Sequence, residues 1–392
     1  MALFYWITGI VLAGIWLSRL IDAAIGMRDV PDIAATNWAP EREFYEHAPR
    51  VTIVVPAKNE AEEIETCLQS LLALDYPDYE IVAVDDRSSD QTGAIMDRLA
   101  SGGQRLRIVH ITELPDGWLG KTHAMWKAAN ESRGDWILFT DGDIRFRQDA
   151  LARAIAYAEK IDTDMLVVFP TMIMETAGER MMLSFFQSMF VFAHRPWKVQ
   201  DPKSKDYMGV GAFNLIRRPV YEKVGTYSAL KLSILDDMEL ARLAKEGGFK
   251  QRNVFGDGLI RLRWATSAIG VVQNLTKNLF ALTGFRLSVA VGGALALTFV
   301  NAWPFLGVVL APGWQKLGFG IAVAGIAVLY VGMGRVSKIS PLYFLTHPLA
   351  SLIFSGAMLH SAGSAILRRG VVWRGTTYSL AELRKQTSRP KG

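Results

Sequence analysis

Hydrophobic positions in this chain fall into two kinds of run. At the ends they are long and nearly unbroken, over residues 2–24, 282–311, 317–333 and 342–367. In the middle they are short and alternate with polar or amphipathic stretches. Long apolar runs can cross a bilayer, whereas short bounded runs suit buried strands. The pattern predicts a membrane anchor over residues 1–26, a folded domain over 50–265, a membrane region over 280–370 and a basic tail over 371–392. No positive residue precedes the first apolar run, which argues against a secretory signal. Arg19 and Arg28 follow it, placing the amino terminus outside and Arg28 in the cytoplasm. Arg19 and Asp22 shorten the clean span, so an interfacial amphipathic helix is the alternative. Residues 29–50 are polar and contain prolines, and they read as a linker.

Strands are expected at 51–55, 80–84, 106–110, 136–140 and 165–170, with helices at 61–74, 91–100 and 121–130 between the first four. This alternation predicts an α/β domain with a mostly parallel sheet and right-handed crossovers. Polar or acidic residues follow three of the strands: Asn59 and Glu60, Asp85 and Asp86, Asp141 and Asp143. Motifs after successive parallel strands line one edge of a sheet, where ligands gather. Asp141 and Asp143 are hard oxygen donors, suited to Mg²⁺ or Mn²⁺ bridging a diphosphate. Alone, an Asp-x-Asp pair is equally a solvated acidic turn.

Composition narrows the classes. The 392 residues are 50% hydrophobic with a formal net charge of +5, which fits a bilayer surface or a phosphorylated substrate. No long Lys/Arg run or zinc-ligand spacing supports nucleic-acid binding. The single cysteine, Cys67, excludes an intramolecular disulfide and a cysteine metal cluster. Residues 180–199 carry many Met and Phe but are interrupted by His194, Arg195 and Pro196. They read either as an interfacial helix where a lipid enters or as a core helix.

Five motifs occur in order: Val-Val-Pro-Ala-Lys-Asn-Glu (54–60), Val-Asp-Asp-Arg-Ser-Ser-Asp (84–90), Gly-Lys (120–121), Thr-Asp-Gly-Asp (140–143) and Asp-Asp-Met-Glu-Leu (236–240). Together they resemble an inverting glycosyltransferase family 2 domain with the nucleotide-diphospho-sugar transferase (GT-A, Rossmann-like) fold, over about residues 50–265. Flanking membrane segments narrow the resemblance to the branch with ceramide glucosyltransferases and hopanoid-associated or carotenoid glycosyltransferases. Residues 117–121 and Trp-Arg-Gly-Thr-Thr-Tyr (373–378) look like that branch too; the latter also reads as an interfacial anchor.

The resemblance implies roles. Ala57, Asn59, Glu60 and Asp86 would hold the uridine of a nucleotide-sugar donor, with Lys121 near its diphosphate. Asp143 would bind the metal; Asp141 would be its second ligand, or meet ribose or Lys121. Gly211 and Asn214, within 209–217, would lie near the sugar. Of Asp236 and Asp237, the second would be the general base. The competing readings are helix capping for Asp86, Asp236 and Asp237, and a solvated helix start for Lys121. One departure stands out. Many relatives carry Gln-x-x-Arg-Trp after the base, but Ile260 stands where Gln would precede Arg263-Trp264.

The expected activity is transfer of one hexose from a UDP-sugar to a lipid hydroxyl. The site would be the cytoplasmic face of the inner (plasma) membrane. The rivals are a processive polysaccharide synthase and a non-catalytic nucleotide-binding scaffold. The topology is open: three spans after a cytoplasmic domain would leave the basic tail outside. Two spans plus a re-entrant segment would keep it inside.

Overall fold

The computed structural model describes residues 1–373 and 376–387. Arg374 and Gly375 of the 373–378 motif, and Arg389 and Lys391 of the basic tail, lie outside the described residues. The chain forms two compact units. One comprises residues 29–173 and 196–263; the other comprises 1–28, 174–195 and 264–392.

The first unit is built on a seven-stranded sheet. Its strands are β1 (Val51–Ala57), β2 (Tyr79–Asp86), β3 (Leu106–Ile111), β4 (Trp136–Phe139), β5 (Met165–Phe169), β6 (Asn214–Arg217) and β7 (Gln251–Phe255). They lie in the order β3-β2-β1-β4-β6-β5-β7. β1 pairs in parallel with β2 and β4, β2 with β3, and β5 with β7. This is the α/β class expected. β6 is the exception and runs antiparallel to both β4 and β5. Its four residues offer too short an apolar run to announce a strand; tertiary pairing makes it one. Ile53, Val54, Val82 and Leu138 are fully buried, as continuous apolar strands covered on both faces must be.

Residues 29–50, expected as an irregular linker, hold a 3-10 turn (Thr36–Trp38) and a five-residue helix (Arg42–Glu46), and they are not detached. Asp32 bridges to Phe255, the Ile33 N–H donates to the Phe255 carbonyl (2.9 Å), and Ile33 is fully buried. The segment thereby covers the edge that β7 would otherwise expose.

The second unit is helical. Among the described residues, three stretches are long and apolar enough to cross a membrane: Ala2–Asp29, Gly313–Ser337 and Pro341–Leu367. The run expected over 282–311 is instead broken: Leu287–Asn301 and Trp303–Leu310 meet at a 46° bend, with Pro304 in the first turn of the second helix. Gly9 packs on Gly318 and Trp16 on Gly325, so the Ala2–Gly26 and Lys316–Ser337 helices run the same way. A Cβ on Gly318 would lie 2.5 Å from the Gly9 carbonyl carbon. Asn301 meets His347, and the Ala294 carbonyl meets Ser355, so Leu287–Asn301 and His347–Leu367 run oppositely. Arg384 then donates to the Phe285 carbonyl (3.0 Å), returning the tail to the end where Leu287–Asn301 begins.

Several buried polar groups inside this bundle are paired. The Trp16 indole donates to the Val300 carbonyl (3.0 Å). The two ring nitrogens of His347 meet Tyr330 Oη (3.0 Å) and Asn301 Oδ1 (2.9 Å). Helices in lipid require such pairing, because hydrocarbon supplies no partner.

Candidate functional site

β1, β2 and β4 are parallel, so the residues after them share one edge of the sheet. Ala57 and Asp86 end β1 and β2, while Asp141 and Asp143 follow β4. The Gly120–Asn130 helix brings Lys121 to this edge, and the Asp236–Glu246 helix brings Asp236 and Asp237. Lys121 Nζ lies 2.8 Å from Asp141 Oδ1 and 3.6 Å from Asp236 Oδ1. Three candidate residues distant in sequence thus meet through one ammonium.

Glycines make that approach possible. A Cβ on Gly211 would lie 2.6 Å from Asp141 Oδ2. One on Gly209 would overlap the Asp237 carbonyl and lie 2.8 Å from the Met238 nitrogen. Asn214, at the start of β6, donates through Nδ2 to the Asp237 carbonyl (3.3 Å). The Met238 N–H donates to Asp237 Oδ1 (2.7 Å), which fixes that carboxylate at the helix start. Tyr227 Oη, fully buried, lies 3.4 Å from Asp236 Oδ2. The loops after β1 and β2 are laced together: Asn59 Oδ1 accepts from the Ser89 N–H (2.8 Å), and the Glu60 N–H donates to Thr92 Oγ1 (2.8 Å). Asn59 adopts φ 55°, a left-handed conformation that Asn tolerates. Asp90, rather than Asp86, serves the turn into the following helix, accepting from the Thr92 N–H (3.0 Å).

Crowding of carboxylates sets the electrostatics. Burial, and then Asp236, push the Asp237 carboxyl up to about 7. Burial, then Asp141 and Glu60, push Asp143 up to about 7 as well. Burial raises Asp236, against the pull of Lys121. For Lys121, burial works against the ammonium, but Asp141, Asp236 and Asp237 outweigh it and hold it above the ordinary lysine range. Cys67 lies beneath this edge, with Sγ 3.7 Å from the Asp141 carbonyl; burial pushes its thiol up and keeps it unreactive.

A divalent cation fits one position. Asp143 Oδ1 is buried with no hydrogen-bond partner. Among the described residues no three His, Cys, Asp or Glu side chains form a ready cage. Asp143 would therefore supply one ligand, with phosphate oxygens and water completing the shell, as Mg²⁺ prefers. Asp141, two residues away, meets Lys121 through Oδ1 in this structure.

The structure also brings in residues that sequence reasoning passed over. Arg87 Nε and Nη2 donate to the two Asp86 oxygens at 2.7 and 3.1 Å. Tyr227 backs Asp236. His123 packs against both Trp118 and Trp126, at centroid distances of 5.3 and 6.0 Å. None of these contacts had a sequence signal: even Arg87, inside the 84–90 motif, would be expected to point away from its neighbour Asp86. Ile260 is fully buried in a short strand and offers no substitute for the absent Gln.

Residues 52–225 match the family model described as glycosyl transferase family 2. The 4,4'-diaponeurosporenoate glycosyltransferase of Staphylococcus aureus (strain MRSA252) is 22% identical over 382 residues, 94% of this chain and 99% of that protein. The same enzyme from strain USA300 is 23% identical over 385 residues, with the same coverage. Among solved structures, the mannosyltransferase PcManGT from Pyrobaculum calidifontis, in complex with GDP-Man and Mn²⁺, superposes with a TM-score of 0.54 at 20% identity. That match covers 93% of this chain and 99% of that one.

Proposed function

Since this chain is a glycosyltransferase family 2 enzyme, we propose that it moves a single hexose from a UDP-sugar to a lipid hydroxyl at the cytoplasmic membrane face, inverting the anomeric centre. The observation that carries this reading is the convergence of Asp143, the Lys121–Asp141 pair and Asp237 on one sheet edge. The relatives named for a carotenoid acid favour an apolar acceptor, and the nucleotide sugar and Mn²⁺ in the mannosyltransferase favour this donor class and metal.

Asp237 takes the proton from the acceptor hydroxyl as its oxygen attacks the anomeric carbon. The bond from that carbon to the donor diphosphate breaks, and one displacement inverts the centre without a covalent enzyme intermediate. Lys121 orders Asp141 and Asp236 around the sugar. Asn214 and Gly209 hold the Asp237 backbone in place. Asp143 would hold Mg²⁺ or Mn²⁺, whose charge would offset that of the diphosphate.

Helix direction and charge support the cytoplasmic side. Arg28 follows the first membrane helix, and Arg335 and Lys338 close the helix that runs parallel to it. The positive-inside bias puts these ends, and the 29–263 stretch that follows the first, in the cytoplasm. The bond from Arg384 to the Phe285 carbonyl favours the same side for that part of the tail.

The test uses the full-length protein, radiolabelled UDP-hexose, Mn²⁺ and a lipid extract. One labelled glycolipid is expected, and a ladder of longer products would favour the processive rival. Asp237→Asn should abolish turnover while sparing donor binding; full activity in that variant would overturn the assignment of the base.

A further inference from the structure

We infer that Thr122 is a positioning residue for the base: through the Lys231 carbonyl it ties the segment leading to Asp236 and Asp237 to the helix that carries Lys121. This rests on the proposed readings of Asp237 as the base and of Lys121 as a neighbour of the donor diphosphate. Within the 117–121 motif, Lys121 meets the acidic cluster, and its neighbours meet a different partner, Lys231.

The Leu119 N–H donates to the Lys231 carbonyl (2.8 Å), and Thr122 Oγ1 donates to the same oxygen (2.7 Å). Thr122 is fully buried. Its Oγ1 also lies 3.1 Å from the Leu119 carbonyl, the local contact that a threonine in a first helical turn can make. A hydroxyl has one proton, and the contact to Lys231, 109 residues away, has the better length. The Lys231 ammonium lies over the Trp118 ring, 4.9 Å from its centroid. Trp118, Leu119 and Thr122 thus seat one residue together. Residues 232–235 are all that separate Lys231 from Asp236, and Ser233 and Ile234 among them are buried. The seat of Lys231 therefore limits where the Asp236–Glu246 helix begins.

The same two segments are joined a second time, by charge. Lys121 Nζ lies 3.6 Å from Asp236 Oδ1 and 2.8 Å from Asp141 Oδ1. That ionic tie is the one a donor disturbs, because a diphosphate competes with the carboxylates for the ammonium. The tie through Lys231 is neutral and stands outside that competition. It holds the start of the base helix while Lys121 turns to the donor, so that Asp237 stays within hydrogen-bond reach of the acceptor hydroxyl.

Two measurements on the full-length protein in detergent test this: turnover of radiolabelled UDP-hexose with the lipid extract, and calorimetric titration with UDP and Mn²⁺. Thr122→Val removes the hydroxyl but leaves the Lys231 carbonyl its Leu119 N–H, so no buried acceptor is orphaned. It should lower turnover about tenfold while UDP affinity stays as in wild type. Thr122→Ser keeps the hydroxyl and should keep wild-type turnover, which also guards against misfolding of the valine variant. Wild-type turnover in Thr122→Val, matching losses of turnover and UDP affinity in it, or a loss of about tenfold in Thr122→Ser would overturn the inference. Those outcomes leave the base reading standing if Asp237→Asn is inactive. Full activity in Asp237→Asn would bring down the base reading and this inference with it.

Discussion

Replacing Asp237 by Asn should give an inactive protein that is more stable than wild type. Removing a general base costs about 10²- to 10⁴-fold in rate. The stability effect follows from the same burial. Asp237 ionises only near 7, with burial and Asp236 both disfavouring its charge. An ordinary aspartate ionises near 4, so carrying this charge in the fold costs at most about 4 kcal/mol above pH 7. The carboxylate is partly exposed and shares its charge with Asp236, which lowers the cost to roughly 1–3 kcal/mol. The sign is fixed: a raised carboxyl destabilises the fold increasingly as pH climbs from about 4 to about 7, and the penalty is constant above that. Asn carries no such charge and still accepts from the Met238 N–H. Thermal unfolding by intrinsic fluorescence at pH 8 should show the variant melting a few degrees higher, about 2–4 °C per kcal/mol, with the gain shrinking toward pH 4.5. In wild type, kcat/KM should rise with pH through about 7 as Asp237 loses its proton. A variant that melts lower at pH 8, or keeps activity within tenfold, would refute the reasoning.

Gly209→Ala should push the loop off the Asp237 backbone and lower kcat about 100-fold with the fold retained, measured as activity alongside circular dichroism. Asp143→Ala should remove the Mn²⁺ dependence of donor affinity in calorimetry, since Asp143 holds the unpaired carboxylate oxygen. Gly318→Leu should separate the Ala2–Gly26 and Lys316–Ser337 helices and destabilise their packing by about 1–3 kcal/mol, read as earlier detergent-induced unfolding.

Much of the sheet edge was legible because its strands announce themselves. The runs at β1, β2 and β4 are apolar throughout, and acidic residues follow them directly. β6 was not legible: four residues carry little pattern, and its antiparallel entry depends on neighbours far away in sequence. That the Asn214 amide meets the Asp237 carbonyl was therefore not legible either. The Arg87–Asp86 contact depends on one backbone angle that no residue pattern encodes. The break before Pro304 was hidden by apolar residues on both sides of it, and the packing of residues 29–50 by their polar composition.

The Trp16–Val300 hydrogen bond bears on how the protein is made. The first helix leaves the ribosome long before Val300 or the Lys316–Ser337 helix exists. Until then its indole N–H sits in hydrocarbon without its acceptor, and its glycine face has only lipid against it. Translation halted before residue 300 strands that donor in the bilayer. The packing of the first helix is therefore complete only once the late-made Val300 carbonyl has arrived.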